Sequence, residues 1–255
     1  MKNFIFLFLA IGLFTGLQGC KDKTEPSGGV DLKATFMATY NGTQLEKNKD
    51  YTFGTFPLLF LRYRMYLSDI TLIKEDDTEV KISDVEYLDF TPDSSPSDLS
   101  VTPEITYKNV PEGNYKGIRM GIGVNAANNA KKPSDFPADS PLSIETDYWP
   151  GWASYIFMII DGKADPDNDG TKNLSFSYHC GSDMVYQEFT INQAINVTSS
   201  GANLNIEFDL LKLLTQEDGS LYDMANYPVT SNDVNNFKVA LEVISGVERA
   251  ITIDQ

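Results

Sequence analysis

The pattern that most constrains this chain is an alternation of apolar and polar side chains with a period of two. Residues 32–40 (LKATFMATY) place an apolar or aromatic side chain at every even-numbered position. Successive side chains of a β-strand point to opposite faces, so this pattern predicts a strand with one buried face. Asn41-Gly42 follows directly and is a preferred hairpin turn sequence.

The same β-rich patterning recurs along the chain, separated by turn-forming residues. Further strands are predicted over residues 59–73, 80–90, 115–124, 153–160, 174–180, 185–191 and 203–210. Helix is expected only as one or two turns at 210–216, and residues 232–244 fit either a helix or a strand. No internal repeat or linker interrupts residues 31–255. These features predict an all-β fold, a single antiparallel β-sandwich domain with little helix.

The N-terminus reads as a targeting segment. Lys2 precedes an unbroken apolar run at residues 4–14, which has the length of a signal-peptide core and is too short to span a bilayer. The following residues Leu-Gln-Gly-Cys resemble the bacterial lipobox, in which the cysteine is lipidated after cleavage before it. We therefore expect a signal peptide at 1–19, lipidation of Cys20, and a flexible tether at 20–30. The implied location is the outer membrane, on its periplasmic face or at the cell surface.

Charge and residue counts exclude several classes of function. The chain has 20 Lys and Arg against 36 Asp and Glu, a net charge of -16, which repels nucleic acid. One histidine and two cysteines cannot build zinc sites that need several imidazoles or thiolates. His179 and Cys180 are adjacent in a predicted strand, so they point to opposite faces and cannot form a nucleophilic dyad. No diagnostic carboxylate pair is present, and we expect a protein that is not an enzyme.

One acidic segment has the spacing of a calcium loop. Asp165, Asp167 and Asp169 alternate before Gly170, and such carboxylates converge when the glycine permits a sharp turn. An EF-hand needs a bidentate glutamate at position twelve, where this chain has Phe176, so an EF-hand is excluded. Two interpretations stay open: a shorter turn that binds a structural calcium ion, and a solvated acidic hairpin without metal.

Aromatic residues and the single histidine form ordered motifs. Both tryptophans, Trp149 and Trp152, lie in the segment DYWPGWASYIFM (147–158), and His179 lies in FSYHCGS (176–182). Together with YLSDITL (66–72) and YKGIRMGIGVN (115–125), these blocks are similar in residues and order to the MbnP-like family of copper-binding proteins. The resemblance extends over residues 31–244.

The resemblance implies a secreted β-rich protein that binds copper, in some members through a tryptophan oxidised to kynurenine together with histidine. It also implies a di-haem peroxidase as a possible partner. Transferred to this chain, the copper site consists of His179 with Trp149, and Trp152 is the second choice. The chain departs from the family where Pro150, Gly151 and Trp152 stand in place of a further histidine.

Two other interpretations of these three residues remain open from the sequence. The rings are packing residues of the sandwich, with His179 hydrogen-bonded, or the tryptophans form an exposed platform that binds a ligand such as a glycan. Solvent exposure and ring geometry distinguish the three. Buried indoles indicate packing, a coplanar exposed pair indicates a platform, and an indole edge within ligand reach of His179 Nε2 or Nδ1 indicates metal.

Overall fold

A computed structural model describes residues 28–91, 102–230 and 237–255. Cys20, the predicted signal peptide and most of the predicted tether lie outside the described residues. The strands, in chain order, are β1 Val30–Tyr40, β2 Thr43–Gln44, β3 Asp50–Phe53, β4 Phe56–Lys74, β5 Glu79–Asp89, β6 Glu104–Val110, β7 Gly113–Ile122, β8 Tyr148–Trp149, β9 Ser154–Ala164, β10 Leu174–Gly181, β11 Gln187–Ile191, β12 Ile195–Val197, β13 Ala202–Asp209 and β14 Ile251–Asp254. The α-helices are α1 Ala126–Asn129, α2 Leu210–Leu213 and α3 Lys238–Ala250.

The strands form two sheets. The smaller follows the order β14-β13-β1-β2, with β6 also paired to β1. The larger follows the order β10-β9-β4-β7-β11; β3 and β5 pair with β4, β12 with β7, and β8 with β9. Strand β4 is 19 residues long and joins the halves of the larger sheet. The all-β sandwich predicted from the alternation is confirmed.

Large aromatic side chains join the two sheets. Tyr40 of the smaller sheet contacts Phe60 of β4 at 5.8 Å between ring centroids, and Phe208 of β13 contacts Phe90 at 5.9 Å. Burial of such rings contributes strongly to stability because each removes a large apolar area from water. The inward faces of β1, β10 and β13 follow the alternation seen in the sequence, whereas β9 is buried on both faces along most of its length.

Two features add detail to this antiparallel sandwich with little helix. Strands β1 and β13 pair in parallel, with Leu32 opposite Ala202 and Thr39 opposite Asp209. Helix α3 has 13 residues and packs on α2, β10 and β13. Gly246 permits this packing, because a Cβ there would lie 2.0 Å from the Leu213 carbonyl oxygen.

The ambiguous prediction for residues 232–244 is thus resolved as helix for its described part. Val239, Ala240, Val243, Ile244 and Val247 are buried, which is the spacing of one helical face. The short helix predicted after β13 is confirmed as α2. Among the described residues, none of the helices has the length and apolar character needed to cross a bilayer.

Candidate functional site

The two tryptophans lie on a tight turn between β8 and β9. The Trp152 N–H donates to the Trp149 carbonyl at 3.1 Å, and Ala153 closes the turn with φ of 50°. Left-handed backbone is uncommon for a residue with a side chain. The turn brings the indoles to 5.1 Å between centroids, with their planes tilted by 57°. Both are half-buried, and Trp152 also meets Phe237 edge-to-face at 6.0 Å.

His179 lies on β10, an edge strand of the larger sheet. Its ring is half-buried on the outer face, whereas Tyr178 and Cys180 point into the core. Burial raises the pKa of the Cys180 thiol above its ordinary range. The expected burial of Cys180 is confirmed, and this thiol is separated from the His179 ring by the sheet.

Trp149 and His179 meet although 30 positions separate them in the chain. Their ring centroids lie 6.4 Å apart with planes tilted by 36°. Gly181 follows His179 by two positions and leaves room for the neighbouring backbone, because a Cβ there would lie 2.5 Å from the Tyr155 carbonyl oxygen. The antiparallel pairing of β9 with β10 places the tryptophan turn beside the end of β10. Trp152 touches Trp149 and completes a cluster of three rings.

Asp161 is the charged partner of His179, a role that was not predicted from the sequence. Its Oδ1 lies 2.9 Å from His179 Nε2 and accepts a hydrogen bond from Ser177 Oγ at 2.7 Å. Its Oδ2 accepts from Arg62 Nε at 2.7 Å. Burial by itself would raise the pKa of the Asp161 carboxyl, but these hydrogen bonds, led by that of His179, outweigh burial and lower it to about 2.

Thr230 fixes the backbone at His179. The His179 N–H donates to Thr230 Oγ1 at 3.1 Å, and the hydroxyl donates to the His179 carbonyl at 3.0 Å. The backbone of Ser177 is held by main-chain hydrogen bonds instead: its N–H donates to the Pro228 carbonyl, and its carbonyl accepts from the Thr230 N–H. A depression of about 260 Å³ between these segments is lined by Ser177, His179, Val229 and Thr230. A second depression, of about 210 Å³, lies at the tryptophan turn.

Few atoms in this cluster of rings could coordinate a soft cation such as copper. Nε2 of His179 is engaged by Asp161, and Nδ1 forms no hydrogen bond with any residue that the structure describes. The indole N–H of a tryptophan donates a hydrogen bond, but its nitrogen has no free lone pair with which to bind a metal. One imidazole nitrogen beside two indoles therefore fits a copper ion only in part, because the chain contains no second histidine.

The acidic segment forms the turn between β9 and β10. One carboxylate oxygen from each of Asp165, Asp167 and Asp169 lies within 4.8 Å of the others. Asp165 is buried, and it accepts backbone N–H groups from Asp169 at 3.2 Å and Gly170 at 2.9 Å. Asp167 and Asp169 are exposed. The predicted convergence is present, and the turn is also held by its own backbone hydrogen bonds.

Two of the sequence blocks that resemble the family, residues 66–72 and 115–125, contact each other away from the cluster of rings. Asn125 Nδ2 donates to Asp69 Oδ2 at 2.7 Å, and Lys81 Nζ donates to Asp69 Oδ1 at 2.7 Å. Farther along, buried Asn129 accepts the Tyr155 N–H at 2.8 Å and so ties α1 to the start of β9. These polar bonds hold the loops around the sandwich in place.

Fold and site together define a class: a two-sheet β-sandwich whose outer face carries an indole pair against a carboxylate-bound imidazole. A family model described as MbnP matches residues 29–236, and the chain belongs to this family. A solved structure, MbnP from Methylosinus trichosporium, aligns with a TM-score of 0.57 and 13% identity, covering 88% of this chain and 97% of that chain. This likeness concerns the fold. A search of curated proteins finds no match.

Proposed function

We propose that this protein is a non-enzymatic lipoprotein of the bacterial envelope that binds copper at His179 beside Trp149 and Trp152. The observation that carries the proposal is the 6.4 Å approach of the Trp149 and His179 rings. Membership of the MbnP family supports a metal-related, non-catalytic role. Imidazole nitrogen is a good ligand for copper, and His179 has one ring nitrogen without a bond to the described residues.

Trp149 contributes to this site in one of two ways. As an indole it shields the metal from water and offers only its ring face. If it is oxidised to kynurenine, as the family resemblance implies, it offers an aryl amine and a carbonyl oxygen. With one imidazole in the chain, the unmodified site is expected to bind copper more weakly and less selectively than a site with two.

The ring geometry favours this proposal over a glycan platform. A platform of the kind considered from the sequence needs exposed, coplanar rings, whereas these indoles are half-buried and tilted by 57°. The proposed partners are the membrane, through lipidated Cys20, and a di-haem peroxidase-type protein as the family resemblance implies. The turn at Asp165, Asp167 and Asp169 is proposed to bind a structural calcium ion.

The copper proposal is tested by intact mass and metal analysis of protein purified from its native host. We expect about one copper per chain, lost in His179→Gln and weakened in Trp149→Phe. Trp152→Phe is expected to weaken copper binding less than Trp149→Phe, since its ring lies against Phe237 and one ring farther from the histidine. Thermal melts establish that each variant is folded. An unmodified mass without copper in the wild-type protein contradicts the proposal, and glycan binding lost in both tryptophan variants favours the platform.

A further inference from the structure

We propose that Asp161 is a positioning residue: it places the proton of the neutral His179 ring on Nε2 and so selects Nδ1 as the nitrogen that binds metal. The inference rests on the proposed copper site for its second half only. Its first half concerns the imidazole of the metal-free protein. Metal-binding histidines commonly donate their other ring N–H to a carboxylate, which fixes both tautomer and ring orientation.

The contact between Asp161 and His179 determines which ring nitrogen carries the proton. A carboxylate bonded to an arginine is ionised at neutral pH and accepts hydrogen bonds without donating any. Asp161 meets this condition through Arg62, whose Nε lies 2.7 Å from Oδ2. The 2.9 Å contact with His179 therefore requires a proton on Nε2. In a neutral imidazole this leaves the lone pair on Nδ1.

Asp161 is held in this orientation by its neighbours. Arg62 of β4 and Ser177 of β10 are its direct cross-strand partners on either side. Arg62 donates to Oδ2, while Ser177 Oγ donates to Oδ1 at 2.7 Å. The row Arg62, Asp161, Ser177 crosses three adjacent strands, so the sheet itself fixes the carboxylate. His179 occupies the position diagonal to Asp161, within reach of its Oδ1.

The Asp161→Asn variant removes the charge of the carboxylate while nearly keeping the shape of the side chain. In Asp161→Asn the guanidinium of Arg62 still requires an acceptor, so the amide oxygen turns toward Arg62. The amide nitrogen then faces His179 and donates to Nε2. Because Nε2 must now accept, the ring proton moves to Nδ1 and removes the lone pair proposed to bind copper. Ser177 adapts by rotating its hydroxyl.

The experiment uses ¹⁵N NMR of the imidazole in the full-length, metal-free protein at alkaline pH. The chain has a single histidine, so one ring accounts for the whole imidazole signal. We expect a protonated Nε2 and an unprotonated Nδ1 in the wild type, and the reverse in Asp161→Asn. Copper affinity, measured by competition with a chelator, should fall by about 10- to 100-fold in this variant. Glu79→Gln is the matched control, because Glu79 is an arginine-paired carboxylate on the same sheet, bonded to Arg119.

Three results overturn the inference: a wild-type ring protonated on Nδ1, an unchanged tautomer in Asp161→Asn, or a reversed tautomer with unchanged copper affinity. The wild-type spectrum requires no variant and decides the tautomer even if Asp161→Asn does not fold. If the wild type binds no copper, the proposed function fails. The two metal-free spectra then still decide whether Asp161 sets the tautomer.

Discussion

Asp69 shows how single polar residues stabilise this sandwich. Its backbone has φ of 54° and lies where the pairing of β4 with β7 shifts register. Burial of the carboxyl acts to raise its pKa, but hydrogen bonds from Lys81 and Asn125 and the charge of Lys81 outweigh burial and lower it below its ordinary value. The charged form of Asp69 is therefore favoured by folding.

The Asp69→Asn variant tests this contribution. Asparagine tolerates left-handed backbone, so the substitution removes the charge and one acceptor while keeping the chain conformation. We expect a loss of about 1 kcal/mol in the free energy of unfolding at neutral pH, discounted for the exposure of Lys81. Because the folded pKa is lowered, this stability is present above the ordinary Asp pKa of about 4 and is lost as pH falls below it.

Urea unfolding at neutral and at acid pH measures the difference between wild type and Asp69→Asn. The matched control is Asp84→Asn, since Asp84 pairs with the same lysine but its side chain is 81% exposed. The control should change stability little at either pH. A difference for Asp69→Asn that stays constant down to acid pH would show that the carboxylate charge does not contribute.

At the scale of elements, the edge of the larger sheet beside His179 is closed by a side chain. Strand β10 has β9 on one side, and on the other the Thr230 hydroxyl bonds both the N–H and the carbonyl of His179. Unpaired edges invite pairing with other chains, and covering the edge prevents it. Thr230 thereby also fixes the backbone of His179. The orientation of the His179 ring is then set by its contact with Asp161.

The turn between β9 and β10 is the element on which the calcium proposal is tested. Calcium sites of extracellular modules bind in the range of about 10⁻⁴ to 10⁻³ M. At a calcium concentration of about 10 mM, such a site adds roughly 1.4–2.7 kcal/mol to the free energy of unfolding. We therefore expect calcium to raise the melting temperature, and chelation to lower it, by several degrees.

Asp167→Asn should abolish this shift, because it removes an exposed carboxylate of the cluster. Asp139→Asn removes the same charge from another exposed position and should leave the shift intact. Equal melting temperatures with millimolar free calcium and with chelator would contradict the proposal. The turn would then be held by the backbone bonds to Asp165 alone.

At the scale of the whole molecule, the acidic charge of the protein disfavours contact with a membrane, whereas the proposed lipid at Cys20 favours it. A net charge of -16 repels anionic membrane surfaces. We propose that attachment to a membrane depends on lipid at Cys20; stable anchoring needs more than one acyl chain or a second signal.

The Cys20→Ala variant tests the anchor. We expect the wild-type protein to enter the detergent phase on phase partitioning, and Cys20→Ala to remain in the aqueous phase. Cys180→Ala is the matched control, because this thiol is buried in the sandwich and out of reach of lipid transfer. Retention of Cys20→Ala in the detergent phase would mean that another part of the chain holds the protein at the membrane.

Strands with strong local alternation were predictable from sequence, and others were not. Strands β1, β10 and β13 follow their patterns closely, because the period of two is a property of neighbouring residues. Strands β6 and β14 were missed: β6 follows a polar loop, and the four residues of β14 continue directly from α3. The parallel pairing of β1 with β13 involves residues about 170 positions apart and has no local signal.

The candidate site, like the strands, could be predicted from the sequence only in part. The sequence by itself determined that His179 and Cys180 lie on opposite faces, that Asp165, Asp167 and Asp169 share a turn, and that the motifs are those of the MbnP family. Only the tertiary structure decided that Trp149 lies beside His179 and that Asp161 forms a hydrogen bond with His179. The physical reason is that side-chain alternation is set by covalent geometry, whereas register between strands is set by which distant segments pack together.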